Sequence, residues 1–361
     1  MSINIVSTKP YKAVSFVESS VQAALERSSY LIADIKYDGV RGNILVDNTG
    51  DSEWLSRVGK QIPALTHLSN FYERWSRLLA DDRNICPEGF MLDGELMVAG
   101  VDFNTGSGLL RTKWVKPNNF KYHHGFANET GKTEFKLDPE FLQVRLYAVV
   151  PLHVVESGED HQVQNLLMPY HVDAMIELLV EYFPEVEWLK AESYDVFDMV
   201  ELNALYEKAR ADGHEGLVVK DPHGIYKRGK KSGWWKMKPE NEADGVVVGL
   251  VWGTKGLANE GKVIGFEVEL ENGRVVNATN IPQALMEEFT KQTFEDAGDL
   301  DEEEQVEFIT KVYSNDPPLL LSTYVGWACQ ISYMEETPDG SLRHPSWTMW
   351  RGTEENPEVK I

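Results

Sequence analysis

Apolar and polar positions follow two periods along the chain, and the change of period marks its elements. Tyr30 to Val46, Y-L-I-A-D-I-K-Y-D-G-V-R-G-N-I-L-V, holds two apolar runs of strand type around a polar centre, Lys36-Tyr37-Asp38-Gly39-Val40-Arg41. The pattern predicts a strand pair in which a lysine, a carboxylate and an arginine crowd a glycine turn between apolar walls. Burial and neighbouring cations both favour the neutral form of a lysine, and a neutral amine is a nucleophile. The same pattern also suits an ordinary hairpin turn with solvated charges. Upstream, Val14, Val17, Val21, Ala24 and Leu25 recur at helical spacing and predict an amphipathic helix over 13–29. Downstream, Trp54-Leu55-Ser56 predicts a strand that returns Arg57 towards Lys36. Leu65, Leu68, Phe71, Trp75 and Leu78-Leu79 then predict one helix over 62–82.

Phe90 to Val98 is a further strand with acids embedded in it. Asp93 and Glu95 are two apart and share one face, and an acid in a buried strand needs a partner or a metal. Residues 99–140 break the regular pattern. Thr105-Gly106-Ser107-Gly108 predicts a flexible loop, and Arg111, Lys113, Lys116 and Lys121 then interleave with Trp114, Phe120 and Tyr122. That mixture suits a nucleic-acid contact and a solvated loop alike. His123-His124 has no spaced partner for a zinc site. Val144 to Pro151 predicts a strand carrying Tyr147, with helices around 162–182 and 196–211 after it. Gly213-His214-Glu215-Gly216-Leu217-Val218-Val219-Lys220 places one acid at the mouth of a buried strand and a cation at its far end.

Tyr226-Lys227-Arg228-Gly229-Lys230-Lys231 opens a basic strip that runs into Trp234-Trp235-Lys236-Met237-Lys238-Pro239. Alternation puts Lys236 and Lys238 on one face, where two like charges favour an anion between them, a phosphate above all. Pro239-Glu240-Asn241-Glu242 is a polar break that divides the chain into 1–239 and 240–361. Beyond it, strands are predicted at 245–252, 263–270, 274–278 and 327–334, with turns at Glu271-Asn272-Gly273 and Thr337-Pro338-Asp339-Gly340. An acidic helical insertion over 282–312 interrupts them. Short strands in this arrangement predict a small Greek-key barrel of the OB type.

Composition changes this picture in two respects. Cys86 and Cys329 are the only cysteines, too few for a disulfide framework, and no apolar run reaches the ~18 residues of a membrane span. A reducing cytoplasm fits both, and the N-terminus lacks the apolar core of a signal peptide. The net charge of −23 speaks against nucleic acid when read globally, but it is unevenly spread. Glu287 to Glu307 holds ten acids and one base, whereas Lys220 to Lys238 holds seven bases and one acid. A concentrated basic strip can hold a polyanion that the rest of the surface repels.

K-Y-D-G-V-R, L-D-G-E-L, H-E-G-L-V-V-K and W-W-K-M-K-P stand in the order and spacing of the covalent nucleotidyltransferases, which comprise DNA ligases, RNA ligases and mRNA capping enzymes. The chain resembles, nearly end to end, the compact ATP-dependent DNA ligases of T-odd, short-tailed bacteriophages, including the stretch V-W-G-T-K-G-L-A-N-E-G-K from Val251 to Lys262. This resemblance implies an α+β nucleotidyltransferase (adenylation) domain with antiparallel sheets, followed by an OB-fold β-barrel domain. It implies Lys36 as the nucleophile towards the α-phosphate of ATP, with Asp34 and Ile35 beside it in the nucleotide site. Asp34 stands where the phage relatives carry Glu near the adenine.

Arg41 and Arg57 match arginines that touch ribose and phosphates, Glu95 an acid that serves ribose and metal, and Tyr147 an aromatic that stacks on adenine. Glu215 matches an acid that binds magnesium, with manganese as an alternative, and Lys236 and Lys238 a pair that neutralises the α-phosphate. Arg343 and Arg351, in R-H-P and W-R-G-T-E, resemble remnants of a motif that helps pyrophosphate leave; the fuller Arg-x-Asp-Lys of cellular ligases is missing. Arg111, Lys113, Lys227, Arg228, Lys230 and Lys231 are candidates for DNA contact. The implied substrate is nicked double-stranded DNA, the implied place the host cytoplasm of a phage, and a monomer suffices. Two alternatives stand beside this: an RNA ligase or capping enzyme, and a DNA-binding OB module with an inactive nucleotidyltransferase domain. The retention of Lys36, Glu95, Glu215, Lys236 and Lys238 favours an active enzyme.

Overall fold

The two apolar runs around Lys36 do not pair with each other. A computed structural model describes residues 7–117, 119–127, 131–298, 300–314, 322–336 and 341–352. In it, Leu31–Lys36 belongs to one five-stranded sheet and Val40–Asp47 to another, so Tyr37-Asp38-Gly39 carries the chain from sheet to sheet. The predicted strand pair is corrected accordingly. Leu31, Ala33 and Ile35 are buried on one face and Ile32 and Asp34 on the other, as are Ile44, Leu45 and Val46 in the second run. A strand buried on both faces is an interior strand that needs neighbours on each side.

The chain divides into two units, Met1–Lys238 and Pro239–Ile361. In the first unit, one sheet has the order Lys12–Ser15, Lys230–Met237, Gly216–Lys220, Leu31–Lys36, Ser193–Val196. The second has the order Glu187–Lys190, Leu142–Pro151, Gly89–Val98, Val40–Asp47, Ser52–Ser56. Pairing is antiparallel except for one outer pair in each sheet. Helices Glu18–Ser28 and Met199–Ala211 cover the first sheet through Val21, Leu25 and Leu202; Tyr72–Leu79 and Met168–Tyr182 cover the second through Trp75, Leu78, Met175 and Leu179.

Three sequence expectations are corrected here. The predicted helix over 13–29 begins only at Glu18, because Lys12–Ser15 is taken up as a strand beside Lys230–Met237. The predicted helix over 62–82 is a 3-10 helix, Pro63–Asn70, then an α-helix, Tyr72–Leu79. Leu65 and Leu68 are three apart and bury well at three residues per turn, whereas Trp75, Leu78 and Leu79 need the wider α period. Thr105–Gly108 is no loop but lies within the helix Phe103–Leu110. The Asp102 side chain caps it by accepting from Thr105 N at 3.1 Å, and buried Leu109 and Leu110 outweigh two glycines at ~1 kcal/mol each.

The second unit has the antiparallel order Val275–Ala278, Val263–Leu270, Asn241–Trp252, Ala328–Tyr333, Ser346–Gly352. Thr279 N donates to Pro345 O and Trp347 N to Thr279 O, both at 3.2 Å, which joins the two outer strands and closes an OB barrel. Ser346–Gly352 was not predicted as a strand, although its Trp347 and Trp350 are buried against Phe266 and Phe289. The acidic insertion forms helices Gln283–Asp296 and Glu302–Val312, the latter opened by an Asp301–Glu304 capping box. The predicted turn at Thr337–Gly340 lies outside the described residues. Among the described residues no helix is long and apolar enough to cross a membrane.

Candidate active site

Strand register places Lys36 opposite Gly216, and Glu215 N donates to Lys36 O at 3.1 Å. This brings the Glu215 carboxylate onto the Lys36 ammonium as an ion pair, with the side chains 22% and 10% exposed. Lys236 lies one strand further on and Lys238 just past its end. Burial, then Lys238, Lys36, Lys12 and Lys230 in turn, lower the pKa of Lys236. Lys12, which is the register partner of Lys230, is lowered by burial, then by Arg57 and Lys230. Arg57 itself is exposed in the turn after Ser52–Ser56. Among the described residues Lys12, Arg57, Lys230, Lys236 and Lys238 have no ion-paired carboxylate. Like charges left together and unneutralised give this rim a chemistry complementary to a phosphorylated anion. Lys12 was not foreseen, since only its pairing across the sheet reveals it.

The second sheet supplies the facing wall. Asp93 and Glu95 share a face as expected, but their fates differ. Asp93 is fully buried and accepts from Arg41 Nε (2.6 Å) and Nη2 (2.7 Å), from Asn43 Nδ2 (3.0 Å) and from the Tyr226 hydroxyl. Tyr11 N in turn donates to that hydroxyl at 3.0 Å. Asp93 is therefore committed to structure. Among the described residues the Glu95 side chain keeps a single hydrogen bond, from the Tyr147 hydroxyl at 3.3 Å. Burial pushes the Glu95 carboxyl up to about 7; Arg41 and Lys36 oppose the rise and Glu215 adds to it. The Arg41 guanidinium lies 4.6 Å over the Tyr147 ring.

Asp34 forms a buried ion pair with Lys220, whose ammonium lies 4.1 Å over the Trp234 ring. Lys220 is thus a buried counter-ion, not an open end of the basic strip. Ile35 turns its side chain into the core of the first sheet, so only its main chain can face a nucleotide. A further strut was not foreseen. Arg145 lies 4.0 Å over the ring of buried Tyr37, the residue after Lys36, and His214 meets the same ring edge-on at 5.4 Å. Lone side chains such as Arg145 leave no motif in a sequence.

The DNA candidates separate. Arg228 is buried and donates to the carbonyls of Thr8 (2.5 Å), Lys9 (3.0 Å), Ser7 and Val154 (both 3.1 Å), so it clasps the N-terminal segment and is removed from the DNA set. Lys231 pairs with Asp160 at 2.9 Å and Lys227 donates to Ser232 O at 2.8 Å. Arg111 and Lys113 are exposed. In the second unit, Arg351 Nε meets Asp244 Oδ1 at 3.1 Å in a hollow also lined by Glu242, Glu271 and Gln330. Arg343 sits on the short strand Leu342–Arg343; Thr353 and Glu354 lie outside the described residues.

A lysine held on a carboxylate between two sheets, beside a rim of unpaired cations and with an OB barrel after it in the chain, defines a nucleotidyltransferase of the lysine-adenylating kind. Residues 10–238 match the family described as ATP dependent DNA ligase domain, and residues 239–351 the DNA ligase C-terminal domain. The chain belongs to the ATP-dependent DNA ligases. It is 63% identical over 362 residues to the DNA ligase of Escherichia phage T7, covering 99% of each chain. It is 62% identical over 369 residues to that of Enterobacteria phage T3, covering 99% of this chain and 100% of the relative. Among solved structures, the ATP-dependent DNA ligase from bacteriophage T7 in complex with ATP is similar over 97% of this chain and 100% of that one, at 63% identity and a TM-score of 0.63. The activity is sealing of DNA nicks with ATP, through a lysyl-AMP enzyme and an adenylated 5′-phosphate.

Proposed function

We propose that Lys36 is the nucleophile and that the residues around it divide the work of three successive transfers on one nicked duplex. The observation that carries this reading is the placement of Lys36 on Glu215 and across from Glu95, with Lys236 in the field of both Lys36 and Lys238. Tyr147 offers its ring to adenine, with Asp34 and the Ile35 main chain at the base and Arg41 and Arg57 towards ribose and phosphates. In the first step the Lys36 ammonium releases a proton to solvent and the amine attacks the α-phosphorus; a nitrogen–phosphorus bond forms with loss of a second proton, the bond to the β-phosphate oxygen breaks and pyrophosphate leaves. Lys236 and Lys238 neutralise the α-phosphate as charge shifts to the leaving group. Arg343 and Arg351 of the OB barrel would assist that departure. The 5′-phosphate of the nick then attacks the same phosphorus and frees Lys36. The neighbouring 3′-hydroxyl attacks the 5′-phosphate, and AMP leaves.

Magnesium, or manganese in its place, fits the donors present. Glu95 and Glu215 are oxygen ligands near enough for each to feel the other's charge. Among the described residues no cluster of three or more His, Cys, Asp or Glu could hold a metal alone. A hard cation needs only one or two carboxylates when phosphates supply the remaining oxygens. When bound, it would neutralise phosphate charge. The adenylation role belongs to residues 1–239 and the OB role to 240–361; a monomer acting in the cytoplasm of an infected host suffices.

The test is incubation with α-labelled ATP and magnesium, beside sealing of a 5′-labelled nicked DNA duplex and its RNA counterpart. The parent takes up covalent label and seals DNA, and Lys36→Ala does neither. Label retained on Lys36→Ala would remove Lys36 as nucleophile, and sealing of the RNA nick alone would move the substrate to RNA.

A further inference from the structure

The segment after the helix Phe103–Leu110 carries a charge opposite to that of the whole protein. Between Arg111 and Lys136 there are six basic residues and two acids, in a chain of net charge −23. Within it, Trp114–Val115 and Thr133–Glu134 form a two-stranded ribbon. Val115 and Phe135 point into the core and anchor the ribbon, whereas Trp114 is 51% exposed. Lys113 and Lys132, which each precede one of the two strands, hold their ammonium groups 5.8 Å from the centre of the Trp114 ring. Among the described residues neither lysine, nor Arg111, nor Lys116, has an ion-paired carboxylate. The acid opposite Trp114, Glu134, lies within electrostatic reach of His67.

An exposed indole costs solubility and unpaired ammonium groups cost repulsion, and the fold retains both at one place. Phosphodiester backbone is the partner that satisfies both, because it alternates apolar sugar and base surface with negative charge. We infer that Trp114, flanked by Lys113 and Lys132, is a docking platform for the DNA duplex, the indole packing on sugar or base surface and the lysines on the phosphates either side. The inference rests on DNA as the substrate and adds a grip outside the nucleotide site. The phosphate contacts set the salt dependence, and the indole sets an affinity that salt leaves largely unchanged.

The experiment measures binding of the full chain to a fluorescent nicked duplex bearing a pre-adenylated 5′-phosphate, by anisotropy, without metal, over a salt series. Covalent AMP uptake from ATP needs no DNA and reports the fold of each variant. Trp114→Ala is expected to weaken binding about tenfold at every salt concentration, with Trp114→Phe intermediate. The Lys113→Ala/Lys132→Ala pair is expected to reduce the slope of log affinity against log salt by about 1.8, two phosphate contacts at about 0.9 each. Parent affinity and parent slope in variants that still take up AMP would overturn the platform. If Trp114→Ala also loses AMP uptake, the lysine pair and Trp114→Phe decide by the same criteria. A parent protein that does not bind the nicked duplex at all would overturn the substrate reading itself, a different failure from unaltered variants of a parent that binds.

Discussion

Replacing Asp93 by asparagine tests whether a charge, and not merely a shape, ties the second sheet to the N-terminal segment. The carboxylate has no exposure and accepts four hydrogen bonds, two from Arg41 and one each from Asn43 and Tyr226. Burial works against charge on Arg41, but Asp93 more than offsets it, so the guanidinium stays ionised throughout the accessible pH range. Asparagine keeps the volume, removes the counter-charge and turns one acceptor into a donor facing donors. Breaking a buried pair from one side costs about 3–5 kcal/mol, because the remaining ion is left uncompensated. The retained amide oxygen places Asp93→Asn at the lower end, roughly 3 kcal/mol.

The assay is urea unfolding of the isolated variants, with ATP-dependent AMP uptake measured in parallel. The midpoint should fall at unchanged slope, and the KM for ATP should rise more than the maximal rate falls, since Arg41 is no longer held against Tyr147. Adding Arg41→Gln to Asp93→Asn should recover part of the lost stability, because the stranded charge is gone. A loss below about 1 kcal/mol, or strictly additive losses in the double variant, would refute the reasoning.

Three further outcomes follow from the same geometry. Arg145→Ala should slow single-turnover AMP uptake about tenfold with little change in KM, while Arg145→Lys keeps a cation over Tyr37 and recovers most of the rate; equal defects would deny Arg145 its positioning role. His161 is held neutral down to about 4, by burial first and then by His171 and His153. The unfolded chain takes up its proton near 6.5 and the native chain only near 4, so stability is full above 6.5 and is lost as the pH falls towards 4. His161→Phe should flatten that acid limb by roughly 1–2 kcal/mol at pH 4.5, after allowance for partial exposure, and identical urea midpoints for parent and variant at pH 4.5 and 7.5 would deny it. Chelating the divalent metal should stop AMP uptake, and Glu215→Gln should raise the magnesium needed for half-maximal uptake; an unshifted requirement would remove Glu215 as a ligand.

What the sequence disclosed depended on how far apart the cooperating residues lie. Lys36, Glu215, Lys236 and Lys238 sit in short motifs whose spacing is fixed by neighbouring strands, and the structure brings all four together. The Asp93 network was closed to such reading, because Tyr11 and Tyr226 are 215 positions apart and reach Asp93 only through tertiary packing. Arg228 misled for the converse reason. In a run of cations nothing distinguishes the one whose guanidinium donates four hydrogen bonds to main-chain carbonyls from those that face solvent. The helix Phe103–Leu110 was hidden by local propensity, which two glycines set and two buried leucines override.

The spacing of K-Y-D-G-V-R has a physical origin in the passage between the sheets. Lys36 is the last residue of its strand in the first sheet, and Val40 and Arg41 open the strand in the second. Three residues must cover the gap. Tyr37 is pinned between Arg145 and His214, which leaves Asp38 and Gly39 to make the crossing. At Gly39 the backbone comes so near the Glu95 strand that a Cβ would stand 2.7 Å from both Glu95 Cγ and Leu96 O. Glycine there is a requirement of close approach, and the same approach brings Glu95 into the field of Lys36. Two residues further on, Arg41 is in register with Glu95 and reaches back to Asp93. Lys36, the crossing glycine and the anchoring arginine are thus one mechanical element: the lysine is fixed at the rim because the chain that leaves it is clamped, within five residues, to the opposite wall.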